Sequence, residues 1–282
     1  MTDWEQKNWF ITGASAGFGK AMARAILERG GRVIATARNI DSLDELIAVG
    51  GDRVLAVRLD VRDSAGVGDA VGAAERFGGI DVLLNNAGYG FIAGVEEAQD
   101  EEIAAQFDVN FFGPLRLIRA ALPAMRQRGR GYIVNMSSIG GMRGLMGAGY
   151  YAATKFALEG LSEALAGEAA RFGLRVLIVE PGYFRTDFSG RSLTFPAEPH
   201  PDYDFLVRQR IRAASVDGLQ IGDPERALQA IVAAMNSDTP PMRLLLGSDA
   251  HRFAVDALQA RQADVDNWRT ETESTDFPET SR

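Results

Sequence analysis

Short apolar runs alternate with longer amphipathic runs along most of the 282-residue chain, and this alternation constrains the fold more than any single motif. A short apolar run is typical of a buried strand, whereas an apolar period near 3.6 residues predicts a helix. Strands and helices in alternation predict an α/β fold built on a parallel sheet. The predicted strands are Trp9–Thr12, Arg32–Ala37, Val54–Leu59, Val82–Leu84, Tyr132–Met136, Arg175–Val179 and Arg243–Leu246. The predicted helices are Gly19–Arg29, Ser42–Val49, Ser64–Phe77, Asp100–Arg128, Tyr151–Arg171, Pro224–Met235 and Ala250–Trp268.

The predicted elements follow one another without a break in composition, so we expect a single domain over residues 1–270. Residues 188–222 interrupt the alternation and are rich in proline, aromatic residues and arginine. An insertion of this length is typical of a functional lid or of a disordered segment, and we expect a substrate loop here. We expect the polar residues 271–282 to form a flexible tail.

Composition argues against several classes of function. The chain has 30 basic and 38 acidic residues, a net charge of -8 and no run of lysine or arginine, so nucleic acid is not an expected partner. Cysteine is absent and His200 and His251 are the only histidines, so no metal site is predicted. The polar start of the chain and the lack of an apolar run of roughly 20 residues favour a cytoplasmic protein with no membrane partner.

The segment TGASAGFG, Thr12–Gly19, follows the first predicted strand and opens the first predicted helix. Gly13, Gly17 and Gly19 let the backbone turn sharply and let a pyrophosphate approach the amide groups. The partial positive charge at the start of the helix attracts the same anion. The segment therefore predicts a dinucleotide-phosphate site, with a turn that binds nothing as the alternative.

The same residues permit an interpretation of a different class. GASAG, Gly13–Gly17, matches the G-x-S-x-G turn of serine hydrolases, in which Ser15 would attack an acyl carbonyl. The base would then be His200 or His251. The hydrolase turn has no need of Gly19, whereas the phosphate site does, so we favour the dinucleotide site.

The end of the second predicted strand indicates which dinucleotide is used. It reads Ala37-Arg38 and has no Asp or Glu that could accept from the 2′-hydroxyl of an adenosine ribose. Arg38 can instead bind a 2′-phosphate through two N–H groups. We therefore favour NADP(H) over NAD(H), with an NAD-preferring enzyme as the alternative. Asp60, after the third predicted strand, is placed either to meet the adenine amino group or to cap its own turn.

The stretch GYYAATK, Gly149–Lys155, contains two adjacent tyrosines. Tyr151 and Lys155 are four residues apart and share a helix face, whereas Tyr150 has the uncharged Thr154 at that spacing. A phenol titrates at about pH 10, so it needs a nearby cation to act as an acid and base near neutrality. Lys155 supplies this cation, and Tyr151 is predicted to exchange a proton with a carbonyl oxygen.

Five segments of the chain, in order, resemble the motifs of the short-chain dehydrogenase/reductase family. They are TGASAGFG, NNAG at Asn85–Gly88, the serines of VNMSS, YAATK, and PGYFRTD at Pro181–Asp187. The likeness runs from about residue 7 to about residue 190, and it is greatest with the branch that includes retinol and 17β-hydroxysteroid dehydrogenases. The resemblance implies one doubly wound, Rossmann-type domain with seven parallel strands flanked by helices. It also implies hydride transfer between a nicotinamide and a carbonyl or carbinol carbon.

The resemblance also implies a role for each matching residue. Tyr151 takes the place of the family's acid–base group, and Lys155 that of its partner, which also holds the nicotinamide ribose. Ser138 matches the donor to the substrate oxygen, with Ser137 as the neighbour to be excluded. Asn110 matches the anchor of a water molecule in a proton relay. The implied cofactor contacts are Gly13, Ser15, Gly17, Phe18, Gly19, Arg38, Asp60, Val61, Asn86, Ala87, Gly88, Tyr151, Lys155, Pro181, Gly182 and Thr186.

The chain departs from the family pattern at two places. Ala16 stands where many NADP-dependent relatives have a basic residue, so the choice of NADP depends on Arg38. Residues 188–222 match no family pattern, so the resemblance does not name a substrate. Aromatic and methionine residues near the motifs favour a bulky apolar ketone, aldehyde or alcohol, with core packing as their alternative role. These residues are Tyr89, Phe91, Met142, Met146, Tyr183, Phe184 and Phe188.

Two predicted helices, Asp100–Arg128 and Tyr151–Arg171, carry small and apolar residues that we expect to face outward: Ala152, Phe156 and Leu161. Since helices at these positions commonly mediate assembly in the family, the resemblance implies a homodimer or homotetramer. A nucleotide-sensing protein without turnover is disfavoured because all four catalytic positions are filled.

Overall fold

The computed structural model describes residues 4–186, 188, 190–215 and 218–277. The strands are β1 (Asn8–Ile11), β2 (Arg32–Ala37), β3 (Val54–Arg58), β4 (Val82–Asn85), β5 (Gly90–Phe91), β6 (Gly131–Met136), β7 (Leu174–Pro181), β8 (Leu193–Thr194) and β9 (Arg243–Leu246). The helices are α1 (Gly17–Glu28), α2 (Asp44–Gly50), α3 (Ser64–Arg76), α4 (Asp100–Phe107), α5 (Gly113–Arg128), α6 (Gly149–Ala170), α7 (Phe205–Ser215), α8 (Pro224–Asn236), α9 (Ser248–Asn267) and α10 (Arg269–Glu273).

Within these residues, seven parallel strands form one sheet in the order β3-β2-β1-β4-β6-β7-β9. The chain passes from β1 outward through β2 and β3, and then returns to the other side of β1 at β4. Loops that leave the carboxyl ends of β1 and β4 therefore diverge and leave a crevice between them. In doubly wound sheets this crevice is where ligands bind.

Successive residues of β1 point to opposite faces of the sheet, as strand geometry requires. Trp9 and Ile11 join a core with side chains of α1, α2 and α8, whereas Phe10 joins a second core with side chains of α3, α5 and α6. All three β1 residues are fully buried. Helices thus cover both faces, and the predicted doubly wound sheet of seven parallel strands is confirmed.

The predicted helix Asp100–Arg128 is interrupted in the structure. A π-helical turn at Asp108–Phe112 separates α4 from α5. Such turns insert one extra residue into a helix and are frequent at functional sites. This turn carries Asn110, so the interruption affects where a predicted site residue points.

The insertion is ordered in most of its described residues. Strand β8 pairs with β5 in a separate two-stranded sheet, and helix α7 follows. The guanidinium of Arg210, on α7, forms an ion pair with the carboxylate of Glu97, and both side chains are buried. Glu97 Oε2 also accepts from the backbone N–H of Gly94 at 2.6 Å. This buried pair fastens α7 beside the loop that follows β5.

The expected tail lies partly outside the described residues. Residues 278–282 are among those that the structure does not describe, whereas Arg269–Glu273 forms α10. None of the described helices combines the length and the apolar character that spanning a membrane requires.

Candidate active site

The loop after β1 forms a concave backbone at the start of α1. Gly13 and Gly17 have φ values of 67° and 52°, in the region that favours glycine. A Cβ atom on Gly19 would lie 2.4 Å from the carbonyl oxygen of Gly13, so any larger residue would force the loop apart. The first turn of α1 contains no acidic residue. The helix dipole and its amides therefore favour an anion here, and the residues fit the pyrophosphate of a dinucleotide.

The segment after β4 is tied directly to this loop. The backbone N–H groups of Asn86 and Ala87 both donate to Thr12 Oγ1 at 2.9 Å. The side chain of Asn86 donates to the Thr12 carbonyl oxygen at 2.8 Å. Asn86 therefore holds the ends of two neighbouring strands together. A Cβ on the nearby Gly88 would lie 3.7 Å from Lys155 Nζ, which places this backbone against the predicted reacting centre.

The residues expected to meet the adenosine half lie along the same cavity as the glycine loop. Arg38 is exposed there, and within the described part of the chain its guanidinium has no hydrogen-bond or ion-pair partner. Asp60 is engaged by Arg62, whose Nη2 lies 2.6 Å from Asp60 Oδ2. The hydrogen bonds from Arg62 hold the pKa of the Asp60 carboxyl below its usual range. Val61 is buried and lines the cavity between them.

Ser138, Tyr151 and Lys155 meet at the carboxyl end of β6. The Ser138 hydroxyl accepts from the backbone N–H of Gly140 at 3.1 Å and lies near the Tyr151 ring, since a Cβ on Gly140 would be 3.6 Å from Ser138 Oγ and 3.2 Å from Tyr151 Cε1. Tyr151 and Lys155 lie one turn apart on α6, with Lys155 Nζ 5.7 Å from the centre of the Tyr151 ring. Lys155 Nζ also donates to the Met136 carbonyl oxygen at 2.8 Å. The hydroxyl, the phenol and the ammonium thus face one cavity wall.

Burial changes the acidity of both groups on α6. It raises the pKa of Tyr151 to about 12, although the hydrogen bond with Ser138 opposes this rise. It lowers the pKa of Lys155 to about 8, although the charge of Glu159 opposes this fall. Near neutral pH, Tyr151 is therefore a protonated phenol that can donate, beside a Lys155 ammonium.

Asn110 is buried in the π-helical turn and bonds to a backbone rather than to another predicted catalytic side chain. Its Nδ2 donates to the Tyr89 carbonyl oxygen at 2.9 Å, and its Oδ1 accepts from the Tyr89 N–H at 3.1 Å. It also donates to Thr154 Oγ1 at 3.3 Å. These bonds hold the loop after β4 against α6, close to Gly88 and Lys155.

The segment after β7 forms the wall opposite the glycine loop, and Pro181, Gly182 and Thr186 line the cavity there. The carboxylate of Asp249, at the start of α9, accepts from the Tyr183 N–H at 2.7 Å. A Cβ on Gly182 would lie 2.3 Å from Asp249 Oδ1, so glycine is required at this position. Asp187, the last residue of the matching motif, lies outside the described residues.

One cavity of about 1630 Å³ connects most of these groups, but Gly19 and Asn110 are not among its lining residues. Ligand pockets commonly measure roughly 300–1,000 Å³, so this cavity has room for a dinucleotide together with a substrate. Phe18 and Phe184, whose ring centres are 4.9 Å apart, lie in its lining. Six of the seven predicted wall residues line it, but Met142 does not; it borders a separate depression beside α9. Met142 was predicted wrongly because nearness in sequence to a motif does not determine side-chain direction.

Residues that the sequence analysis did not single out also line the cavity. Arg191 lies in the insertion, and its Nη2 is 3.5 Å from the carbonyl oxygen of Ser15 in the glycine loop. Arg208 and Phe205, on α7, border the same space, as does Phe253 on α9. Arg191 follows the motif Pro181–Asp187 by four residues and the others lie further away, and none belongs to a motif that could have indicated it.

The structure does not provide the base that a hydrolase would need. Ser15 lines the cavity, but neither His200 nor His251 is among the described residues that line it. His200 Nδ1 accepts from the backbone N–H of Asp202 at 3.2 Å. His251 is exposed on α9. A Ser15 nucleophile would therefore have no histidine beside it.

A glycine loop at the switch point of a doubly wound sheet, with a half-buried Tyr and a buried Lys beside it, defines a nucleotide-dependent oxidoreductase. The family model for short chain dehydrogenases matches residues 7–195. The chain belongs to the short-chain dehydrogenase family and is an NAD(P)-dependent dehydrogenase or reductase.

Three relatives illustrate the similarity. Oxidoreductase BOA17 of Botryotinia fuckeliana is 39% identical over 267 residues, which cover 93% of this chain and 97% of the relative. The 3-ketodihydrosphingosine reductase of Bacteroides thetaiotaomicron is 38% identical and covers 84% of this chain and 86% of its own length. Human retinol dehydrogenase 8 is 33% identical, with 83% of this chain and 79% of the relative covered.

Solved structures agree with this family. A short-chain dehydrogenase from Streptomyces avermitilis has a TM-score of 0.89 and 42% identity, with 96% of this chain and 98% of that chain covered. An alcohol dehydrogenase from Thermococcus sibiricus complexed with 5-hydroxy-NADP has a TM-score of 0.68 and 28% identity, with 85% of this chain and 95% of that chain covered. A short-chain dehydrogenase/reductase from Burkholderia phymatum in complex with NAD has a TM-score of 0.80 and 26% identity, with 94% of this chain and 96% of that chain covered.

Proposed function

We propose that this chain is an NADP(H)-dependent oxidoreductase that interconverts a bulky, apolar ketone or aldehyde and the corresponding alcohol. Tyr151 is the acid–base group, Ser138 the hydrogen-bond donor to the reacting oxygen, and Lys155 the cation beside them. The observation that carries the proposal is the meeting of Ser138, Tyr151 and Lys155 on the cavity that begins at the glycine loop.

The chemistry follows from the protonation states at this wall. A bound nicotinamide dinucleotide would supply or accept a hydride at its C4 atom. During reduction, the Tyr151 hydroxyl gives its proton to the carbonyl oxygen, and Ser138 donates a second hydrogen bond to the same oxygen. The Lys155 ammonium stabilises the phenolate that remains. During oxidation the same groups act in reverse, with Tyr151 as the base.

The preference for NADP(H) rests on Arg38. Its guanidinium lies on the cavity after β2 without a hydrogen-bond or ion-pair partner among the described residues, and Arg62 already pairs with the nearby acid Asp60. A 2′-phosphate can accept two charge-assisted hydrogen bonds from Arg38, whereas a 2′-hydroxyl gains little from it. An NAD-preferring enzyme is the alternative, since solved relatives are known with either nucleotide.

A bulky apolar substrate is supported by the cavity and by the relatives. Aromatic and aliphatic side chains of the insertion lie in the lining, among them Phe188, Leu193 and Phe195. The ring centre of Phe188 is 5.8 Å from that of Tyr151, so apolar surface reaches the reacting phenol. Two relatives are named for 3-ketodihydrosphingosine and retinol, both of which carry their oxygen on a long apolar skeleton.

The test is NADPH depletion with ketones and aldehydes graded by size, from acetone through cyclohexanone to steroid ketones and long-chain 3-ketones. We expect saturable turnover that improves with apolar bulk. Tyr151→Phe should abolish it while NADPH binding, followed by fluorescence, persists. Full turnover by Tyr151→Phe would overturn the assigned mechanism, and labelling of Ser15 by a fluorophosphonate probe would favour the hydrolase. Tight NADPH binding with no turnover across the panel would favour a nucleotide-sensing protein.

We also propose that the chain assembles as a homodimer or homotetramer through α4, α5 and α6. Phe156 is exposed on α6 and Phe112 on the π-helical turn between α4 and α5, which supports a covered face in solution. Ala152 does not contribute, because it is buried within the protomer, contrary to the sequence expectation. Leu161 is partly buried. Sedimentation at micromolar concentration tests the proposal, and a monomer mass would contradict it.

A further inference from the structure

A cluster of charged side chains lies inside the protein behind the reacting centre. Glu159 on α6 and Glu180 on β7 are buried, and Arg243 on β9 lies between them and the surface. Arg243 Nη2 is 3.3 Å from Glu159 Oε2, and its Nε is 3.5 Å from Glu180 Oε1. None of these three residues belongs to the motifs of the sequence analysis. Buried charges destabilise a protein unless they are paired, so a buried cluster of this kind points to a functional role.

Glu159 is one helical turn beyond Lys155 on the same face of α6. Its carboxylate accepts a hydrogen bond from the Ser137 hydroxyl, with Oγ and Oε1 2.5 Å apart. A Cβ on Gly141 would lie 1.9 Å from Glu159 Oε1, so the turn after β6 leaves space for this carboxylate only because glycine stands there. The carboxylate is thus held in one place, on the side of Lys155 away from Tyr151.

The charge of Glu159 acts on Lys155. Burial alone lowers the pKa of the Lys155 ammonium, and the negative charge of Glu159 raises it. Glu180 contributes less negative charge, because burial and the neighbouring Glu159 raise its own pKa well above the usual range. Arg243 shares its positive charge with Glu163, at 2.8 Å on the surface.

Helix α4 also packs against α6 and carries Asp100, Glu101 and Glu102, but among the described charged groups Glu159 alone shifts the pKa of Lys155. The turn Ile139–Gly141 has no titratable side chain, and neither does β5. On the π-helical turn, Asp108 is paired with Arg116 at 2.6 Å. Asn110, which lies closest to Lys155 from that turn, is uncharged. Tyr151, the remaining titratable neighbour, is a neutral phenol near pH 7.

We propose that Glu159 is a positioning residue for the reaction, which keeps Lys155 in its ammonium form, with Ser137 and Arg243 holding the Glu159 carboxylate in place. This inference rests on the proposed function, since a Lys155 cation matters only where a phenol beside it gives up its proton. It assigns the buried cluster an electrostatic purpose at the active site. It also gives Ser137 a purpose distinct from that of Ser138.

Direct titration of Lys155 tests the proposal without any substrate. Lys7, Lys20 and Lys155 are the only lysines of the chain, so protein labelled with ¹³C at the lysine Cε gives three signals by NMR. The Lys155→Arg variant identifies the signal of Lys155. In Glu159→Gln we expect the titration midpoint of Lys155 to move to lower pH by roughly one unit, because a nearby negative charge is lost. Lys7 and Lys20 serve as internal references in every sample.

Three further variants separate electrostatics from structure. Glu163→Gln removes the exposed partner of Arg243 and should leave the Lys155 midpoint unchanged. Glu159→Asp keeps the charge and should restore most of the wild-type midpoint. Ser137→Ala removes the hydroxyl that holds the carboxylate and should shift the midpoint in the same direction as Glu159→Gln, by less. If Glu159→Gln does not fold, the comparison of Ser137→Ala with Glu163→Gln decides the question.

An unchanged Lys155 midpoint in Glu159→Gln, or equal shifts in Ser137→Ala and Glu163→Gln, would overturn the proposal. The titration needs no turnover, so the two proposals can fail separately. If the Lys155 midpoint shifts as expected but the protein reduces no carbonyl, the proposed function is wrong and the electrostatic role of Glu159 stands. In a protein that does turn over, the fall of kcat at alkaline pH should move to lower pH in Glu159→Gln, with KM unchanged.

Discussion

Ser137 and Ser138 are neighbours in sequence, yet their hydroxyls serve two different sites. The Ser138 hydroxyl accepts from the Gly140 N–H at 3.1 Å and lowers the pKa of Tyr151, whereas the Ser137 hydroxyl donates to Glu159 Oε1 at 2.5 Å inside the protein. The reason is local: the backbone at Ser138 is extended, with φ -173° and ψ 166°, and successive side chains of an extended chain point to opposite sides. The end of β6 therefore places one serine hydroxyl near Tyr151 and the other against the buried charges.

The two serines should consequently differ as alanine variants. At pH 6.5 we expect Ser138→Ala to lower kcat by roughly 10²-fold, the usual loss for one donor to a developing oxyanion. Ser137→Ala should change kcat by no more than a few-fold at that pH, because Lys155 stays protonated. Steady-state kinetics of both variants with the same ketone check this, and equal losses would contradict the assignment of Ser138.

Phenylalanine variants of the two adjacent tyrosines should differ in activity. The Tyr150 hydroxyl donates to the Val95 carbonyl oxygen at 2.5 Å and does not line the cavity described above. Tyr150→Phe should retain the activity and lose roughly 1 kcal/mol of unfolding free energy, the usual value of one hydrogen bond. Tyr151→Phe should lose roughly 10²–10⁴-fold in kcat. Steady-state kinetics and denaturant unfolding of both variants test this prediction. A Tyr150→Phe variant that is fully folded but inactive would contradict it.

Arg38 should control nucleotide choice. Arg38→Ala removes a charge-assisted contact to a 2′-phosphate, so we expect the Kd for NADPH to rise at least roughly tenfold while that for NADH changes little. Arg62→Ala is the matched control, since Arg62 pairs with Asp60 and should affect both nucleotides alike. Fluorescence titration measures the four affinities. A ratio of NADPH to NADH affinity that is unaltered by Arg38→Ala would reject the role of Arg38.

The glycine loop should tolerate no side chain at Gly19. A Cβ there would lie 2.4 Å from the Gly13 carbonyl oxygen and 2.6 Å from Asn86 Nδ2. Gly19→Ala should therefore abolish measurable NADPH binding. The control is Gly68→Ala on α3, where a Cβ meets nothing within 4 Å, and which should raise the unfolding free energy by roughly 0.5–1 kcal/mol. Normal NADPH affinity in Gly19→Ala would show that the loop does not bind the phosphates.

The rate of carbonyl reduction should fall at alkaline pH. Burial lowers the pKa of Lys155 to about 8, so the ammonium is present below that pH and is lost above it. Burial raises the pKa of Tyr151 to about 12, so the phenol stays protonated through pH 10 and cannot cause the fall. A profile of kcat between pH 6 and 10 checks the prediction. Lys155→Arg should remove the fall, since a guanidinium stays charged, and a flat wild-type profile would contradict the role of Lys155.

Much of the fold was predictable because its signals are local. A buried parallel strand must be apolar over a few residues, so all seven strands of the main sheet were recognised to within two residues at either end. Tyr151 and Lys155 were paired because helix geometry alone brings residues four apart together. The glycine loop was recognised because its backbone conformation restricts the choice of residue wherever the loop occurs.

The elements that were missed depend on partners far along the chain. Strand β5 has two residues and exists because Gly90 N donates to the Ser192 carbonyl oxygen at 2.8 Å. Helix α7 is anchored by the buried ion pair between Arg210 and Glu97, more than a hundred residues away. No periodicity records such contacts, so the insertion could be recognised as an interruption but its structure could not be predicted.

The sequence by itself indicated which groups could carry the chemistry, because the loop glycines and the Tyr–Lys pair are recognisable from backbone geometry and helix spacing. Only the tertiary structure decided how acidic those groups are and which partner each serine hydroxyl meets. Acidity depends on burial and on the charge of Glu159, and side-chain direction depends on how β6 meets α6. Both arise from residues that the fold brings together from separate parts of the chain.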